Sequence, residues 1–373
     1  EFQNNKLRYQ ELVDFFNNPV ELQNDKFAYL IEKYNQIKKY YITPLQANSR
    51  ETLQDLYVEP YFTVYKNNLN EVDNVNRHFF SISNETVHDF FEYYFLFGNK
   101  NDKLKENYDM VFVLGQPGQG KTSFCYKLIY DYLQRFDDLP PIPIIFEKIR
   151  DLIAKDFVNN PLEEIGSRYH FLDFSKDEFI LVLDGLDEAY MSGGVTDSDL
   201  KNLYDRLKKR PNKKIKIILT SRLNYLNIND SCLDNTLVLH LNELSDDQII
   251  EYCDNFKIFH PNNSLIKNIE DIISDDKYVH IKELLRQAVL MYFIAISNIN
   301  IDEGDSKAII YDKIFDSLAQ RSWDSNGQLD YINPKLKSNP SLYKIYLREF
   351  IRNIAFEIFQ SPKLFITVNR LIN

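Results

Sequence analysis

Cysteine, glycine and tryptophan are scarce in this 373-residue chain, at three, ten and one residues. Cys125, Cys232 and Cys253 are widely spaced, with no CxxC and no histidine pairing. This argues against a disulfide framework or a zinc site, and for a reducing compartment such as the cytoplasm. No apolar run has the length of a membrane span, and no secretory leader is visible. Positive charge is in deficit too: 44 Lys and Arg against 55 Asp and Glu leave a net charge of −11. Nucleic-acid backbones and anionic membranes repel such a chain, so neither partner is indicated. One basic cluster, Lys208, Lys209, Arg210, Lys213, Lys214 and Lys216, reads as a solvated loop before a strand. The chain begins at Glu1 without a methionine, so a piece of a longer protein is expected.

What is present is a soluble globular balance, 44% hydrophobic and 27% charged. No repeat of solenoid period is visible. Residues 1–56 read as a helical segment or linker interrupted by Pro44. Residues 57–65 are extended around Pro60, 66–77 read as loop, 85–97 as helix and 98–107 as linker. An α/β alternation then begins. Apolar runs at 110–114, 142–146, 179–183, 215–220 and 237–241 are separated by helical patterns, including 122–133 and 200–207. Short, wholly apolar runs between helices indicate parallel strands covered on both faces. From residue 245 strands disappear. Ser245 with Gln248 forms a capping box that opens a helix to about residue 256, and helices follow over 281–296, 309–320 and 342–358.

The first apolar run ends in Gly115-Gln116-Pro117-Gly118-Gln119-Gly120-Lys121-Thr122-Ser123, which fits GxxxxGK[ST] between a strand and a helix. Glycines let backbone amides turn toward phosphate oxygens, and the helix that follows adds the positive end of its dipole. Lys121 is placed to reach the β- and γ-phosphates and Thr122 to ligate Mg²⁺. The expected ligand is ATP or ADP with Mg²⁺. A second buried run ends in Asp184, at the strand end where parallel sheets place ligands. Asp184 would hold Mg²⁺ with Thr122. Gly185-Leu186-Asp187-Glu188 follows, and three carboxylates so close together need a cation or proton to offset their repulsion. Asp187 or Glu188 could orient or deprotonate the attacking water. The next strand ends in Thr220-Ser221-Arg222, where Arg222 could reach the γ-phosphate or pair with an acid. The catalytic candidates are therefore Lys121, Asp187, Glu188 and Arg222.

These three stretches, in this order and spacing, resemble the NACHT domains of the STAND group of signalling ATPases, which includes NOD-like receptors and anti-phage relatives. Asp184-Gly185-Leu186-Asp187-Glu188 is the most specific piece. Ile144-Ile145-Phe146 with Arg150-Asp151-Leu152 is similar to the second strand and Arg-x-Leu of that family. Leu241-Asn242-Glu243-Leu244-Ser245 resembles the start of its helical region. Tyr57-Val58-Glu59-Pro60 resembles the segment that lines the adenine pocket, which makes Tyr57 and Pro60 nucleotide-binding candidates. The resemblance implies an α/β fold with a five-stranded parallel core and helices on both faces. The core would span residues 57–244, with a small helical domain at 245–305 and the start of a winged-helix domain at 306–373. One departure is clear: Ala288 stands where relatives carry a proline. The resemblance further implies a slow ATP/ADP switch that self-associates on activation, with effector and sensor domains outside these residues. A continuously working AAA+-like ATPase is the alternative.

Overall fold

Aliphatic and aromatic runs separated by polar turns become a sheet because their backbone groups can pair with neighbours while their side chains leave water on both faces. The computed structural model describes residues 28–45, 49–66, 71–73, 91, 109–134, 142–152, 154–191, 197–222, 236–319 and 339–361. Its strands are β1 (Phe62–Lys66), β2 (Glu71–Asp73), β3 (Met110–Leu114), β4 (Ile144–Lys148), β5 (Ile180–Asp184), β6 (Lys216–Ser221) and β7 (Leu237–Leu241). They form one sheet in the order β2-β1-β7-β3-β6-β5-β4. The run β7-β3-β6-β5-β4 is parallel, whereas β1 is antiparallel to both β7 and β2. The parallel run thus has the expected five strands, and β1 and β2 extend the sheet antiparallel to seven. β2 falls within residues 66–77, read above as loop, because a three-residue polar strand carries no apolar pattern to announce it.

The chain divides into two compact units. The first comprises Glu1–Thr43 and Thr52–Glu243, the second Pro44–Glu51 and Leu244–Asn373. Besides the sheet, the first contains helices α1 (Ala28–Ile42), α2 (Leu53–Leu56), α3 (Lys121–Gln134), α4 (Ala154–Asn159), α5 (Pro161–Gly166), α6 (Leu186–Met191) and α7 (Asp197–Lys208). β3 and β5 are buried at every position, and α3 packs Phe124, Leu128 and Ile129 into the same core. Phe91 joins it edge-to-face with Phe124, at 5.3 Å between ring centroids. The rest of the helix expected over 85–97, and the linker at 98–107, lie outside the described residues.

Two polar devices fasten α1 to the sheet. The Tyr34 hydroxyl accepts a hydrogen bond from the Ile144 amide at 3.1 Å. Glu147, a fully buried carboxylate on β4, accepts from the hydroxyls of Tyr29 (3.0 Å) and Tyr169 (2.8 Å), and from Lys33 and Arg168 (both 3.4 Å). Burial and the Glu147 carboxylate push the Tyr169 phenol far above its ordinary pKa. Arg210 corrects the reading of the basic cluster as solvated. It is buried and donates to the carbonyls of Leu207, Ile215 and Asp109, so it ties the end of α7 to the starts of β6 and β3.

The second unit contains α8 (Asp246–Phe259), α9 (Ser264–Ser274), α10 (Val279–Leu285), α11 (Ala288–Ser297), α12 (Lys307–Ala319) and α13 (Pro340–Gln360). The capping box opening α8 is formed: Ser245 Oγ accepts from the Gln248 amide, and Gln248 Oε1 accepts from the Ser245 amide at 2.9 Å. The single helix expected over 281–296 is two, α10 and α11. Gln287 is extended between them, and Arg286 is engaged elsewhere. Its carbonyl accepts from the Leu244 amide, and its guanidinium binds the Leu244 carbonyl and the Asp246 carboxylate. A tertiary interaction therefore breaks a stretch whose apolar pattern reads through. α11 ends with Asn298 at φ 47, a left-handed cap that asparagine tolerates.

Candidate nucleotide site

Parallel strands bring their carboxyl ends to one side, and four of the sequence-marked stretches meet there. The loop after β3 turns through Gly118 and Gly120 at φ values of 80 and 86, a region open to glycine at little cost. Gly115 serves differently. A Cβ there would lie 3.0 Å from Gln119 Oε1 and 3.2 Å from Lys121 Cγ, so any larger residue would push on both side chains. Gln119 is buried, and its side chain braces the loop from inside by accepting from the Gln116 amide. Pro117 is exposed at the loop tip, and Ser123 lies partly exposed in the first turn of α3. The Lys121 ammonium donates to the carbonyls of Gly115 (2.8 Å) and Gln116 (3.3 Å), which places it within the loop. Burial lowers its pKa and Arg222 adds to that, while Asp187, Asp184 and Glu188 pull the other way.

Asp184 is the centre of the acidic side. It is buried, and both its oxygens are engaged: Oδ2 accepts from the Thr122 hydroxyl at 2.7 Å and Oδ1 from the Thr220 hydroxyl at 2.6 Å. Thr220 Oγ1 in turn accepts from the Gly185 amide at 2.8 Å. The P-loop helix, the end of β5 and the end of β6 are thus tied by one hydrogen-bonded chain. Gly185, at φ 81, then reverses the backbone into α6.

Asp187 is buried and forms an ion pair with Arg222 Nε at 2.7 Å. Its other oxygen, Oδ1, is buried with no hydrogen-bond partner among the described residues. Glu188 is half-exposed and pairs with Arg150 at 3.1 Å. Pro60 is buried and Tyr57 partly so, ahead of the β1 pairing with the end of β7. Burial raises the Tyr57 phenol well above its ordinary value. Its electrostatic neighbours are Glu59 beside it, Tyr41 on α1, and Asp131 and Cys125 on α3. The structure therefore brings together the loop, Lys121, Thr122, Asp184, Asp187 and Arg222, with Glu188 beside them. Sequence reasoning missed the Thr220 clasp and the Arg150 pair. Thr220 was marked only as a polar residue at the end of an apolar run, and Arg150 only as part of Arg150-Asp151-Leu152, with no partner assigned to either.

The donor set fits a small hard cation and a phosphate chain. Thr122 and Asp184 offer hydroxyl and carboxylate oxygens. Positive φ at the loop glycines and a lysine within the loop suit an anion. The unpartnered Asp187 oxygen suits an added donor such as water.

Residues 96–257 match the family described as Novel STAND NTPase 3, a span of less than half the chain. This segment is similar to P-loop NTPase domains of STAND type. No curated protein matches the chain. Among solved structures, C. elegans PCH-2 is similar at a TM-score of 0.35 and 14% identity, over 66% of this chain and 69% of that one. Drosophila ORC bound to DNA is similar at 0.32 and 12%, over 56% of this chain and 61% of that one. At these TM-scores neither likeness bears on how this segment works.

Proposed function

We propose that this chain is the nucleotide-binding part of a NACHT-like signalling ATPase: it binds Mg-ATP, hydrolyses it slowly, and uses the nucleotide state to control self-association of a larger immune or defence receptor. The observation that carries the reading is the hydrogen-bonded chain Thr122–Asp184–Thr220 set against Lys121 in the loop. In it Thr122 and Asp184 would hold Mg²⁺, which when bound supplies neutralisation of phosphate charge. Lys121 would exchange its loop carbonyls for phosphate oxygens. Arg222 would offer its guanidinium to the terminal phosphate, and release from Asp187 would leave that carboxylate to orient the attacking water. Tyr57 and Pro60 remain candidates for the base end. A winged-helix start at 306–373 belongs to the same proposal.

The NACHT pattern Asp184-Gly185-Leu186-Asp187-Glu188 supports a switch over a machine. Self-association requires that ATP and ADP bind the associating and resting states with different affinity, since equal affinity shifts nothing. Solution mass is to be measured by light scattering with Mg-ADP, with Mg-ATP, and for Lys121→Ala. Nucleotide-dependent mass in the wild type, absent in the variant, supports the switch. Unchanged mass combined with steady turnover on the order of 1 s⁻¹ or faster, an ordinary enzyme rate, would sink it in favour of a working ATPase.

A further inference from the structure

The two acids after Asp184 are sequence neighbours, yet they are drawn to opposite sides of β5. In the sheet, β5 lies between β6 and β4, and β6 neighbours the P-loop strand β3. Asp187 pairs with Arg222, the residue just past β6, at 2.7 Å, and its side chain is 4% exposed. Of the three carboxylates, Asp187 also acts most strongly on Lys121 and Glu188 least. Glu188 pairs instead with Arg150, in the turn Ile149–Asp151 just past β4, at 3.1 Å. Its side chain folds back over Gly185, where a Cβ would lie 3.3 Å from Glu188 Cδ. One acid thus turns toward the phosphate loop and the other toward the far edge of the parallel strands.

We propose that Arg150 is a positioning residue that holds Glu188 out of the reaction centre and so keeps hydrolysis slow. The inference rests on the functional reading above. Glu188 released toward β6 would join Asp187 as a second carboxylate able to orient water. The restraint is reversible because both partners are about half-exposed, at 53% and 43%. Such a pair is worth up to about 1 kcal/mol, which at tenfold per 1.36 kcal/mol is a rate factor of about five.

Steady-state Mg-ATP hydrolysis by the whole chain tests this with Arg150→Ala, Arg150→Met, Arg150→Lys and Arg150→Ala/Glu188→Gln. Removing the guanidinium, by either Ala or the stem-preserving Met, raises kcat about two- to fivefold with KM unchanged. Lysine, which keeps the charge, retains the slow rate, and the double variant loses the gain. Unchanged or reduced kcat in both neutral variants overturns the proposal, as does a gain that survives Glu188→Gln. A wild-type chain that hydrolyses ATP normally while the Arg150 variants do nothing refutes this inference alone. A wild-type chain that neither binds nor hydrolyses nucleotide refutes the functional reading with it.

Discussion

Lys121 spends its hydrogen bonds on two carbonyls of its own loop, so the same ammonium can transfer to an anion without a new charge being buried. Hydrogen bonds to charged groups contribute roughly 1.5–3 kcal/mol. Lys121→Ala is therefore expected to weaken Mg-ATP binding by about 10- to 100-fold, as read by titration calorimetry. His240 stands opposite Leu114, the last β3 residue before the loop. Burial lowers its pKa below the ordinary 6.5, with Lys121 adding to this and Asn242 and Glu243 opposing it. The unfolded chain then binds more protons than the folded one in the window just below that value. Stability contributed here is present above it and falls as pH drops through it. Urea unfolding at pH 5.5 and 7.5 should show a loss on acidification that is smaller in His240→Gln. An equal loss in both chains would remove His240 as a contributor.

Among the elements, α1 matters most for what the sequence concealed. Besides burying Leu30, Tyr34 and Ile37, it is held to β4 through Glu147. Glu147 is fully buried with two hydroxyls and two cations around it. Removing one side of a buried charged network costs about 3–5 kcal/mol, because the partners stay behind without compensation. Glu147→Leu is expected to destabilise by that order in denaturant titration. Loss of under about 1 kcal/mol would show the network to be dispensable. The α8 cap is the local counterpart. Ser245→Ala removes an acceptor from the Gln248 amide and is expected to cost about 1 kcal/mol, measured by the same titration.

At the scale of the molecule, two units share one chain. The short segment Pro44–Glu51 groups with the helical unit, although the residues on both sides of it group with the sheet. Within the helical unit the buried carboxylate of Glu51 meets His260 Nε2 at 3.1 Å. A ligand that prefers the folded state stabilises it by mass action, by about 2.7 kcal/mol at 100 times its Kd. Mg-ADP at that excess should raise the melting temperature of the wild-type chain, with Lys121→Ala showing little shift. No shift in the wild type would count against nucleotide binding altogether.

Much of this was open to reading before any fold was seen. The runs at 110–114 and 237–241 became strands with those limits, because a short, mainly apolar stretch bounded by turn residues has few other uses. The phosphate loop was legible because its chemistry needs glycines, a lysine and a threonine at fixed local spacing. β2 and the α10/α11 break were not legible, since pairing with β1 and the claims on Arg286 come from residues distant in sequence. The same holds at the site. Sequence alone placed Asp184, Asp187, Glu188 and Arg222 near one another and left their partners open. Only the strand order β3-β6-β5-β4 decided that Arg222 takes Asp187 and Arg150 takes Glu188. Ion pairs are set by distance in space, and spacing along the chain does not encode it.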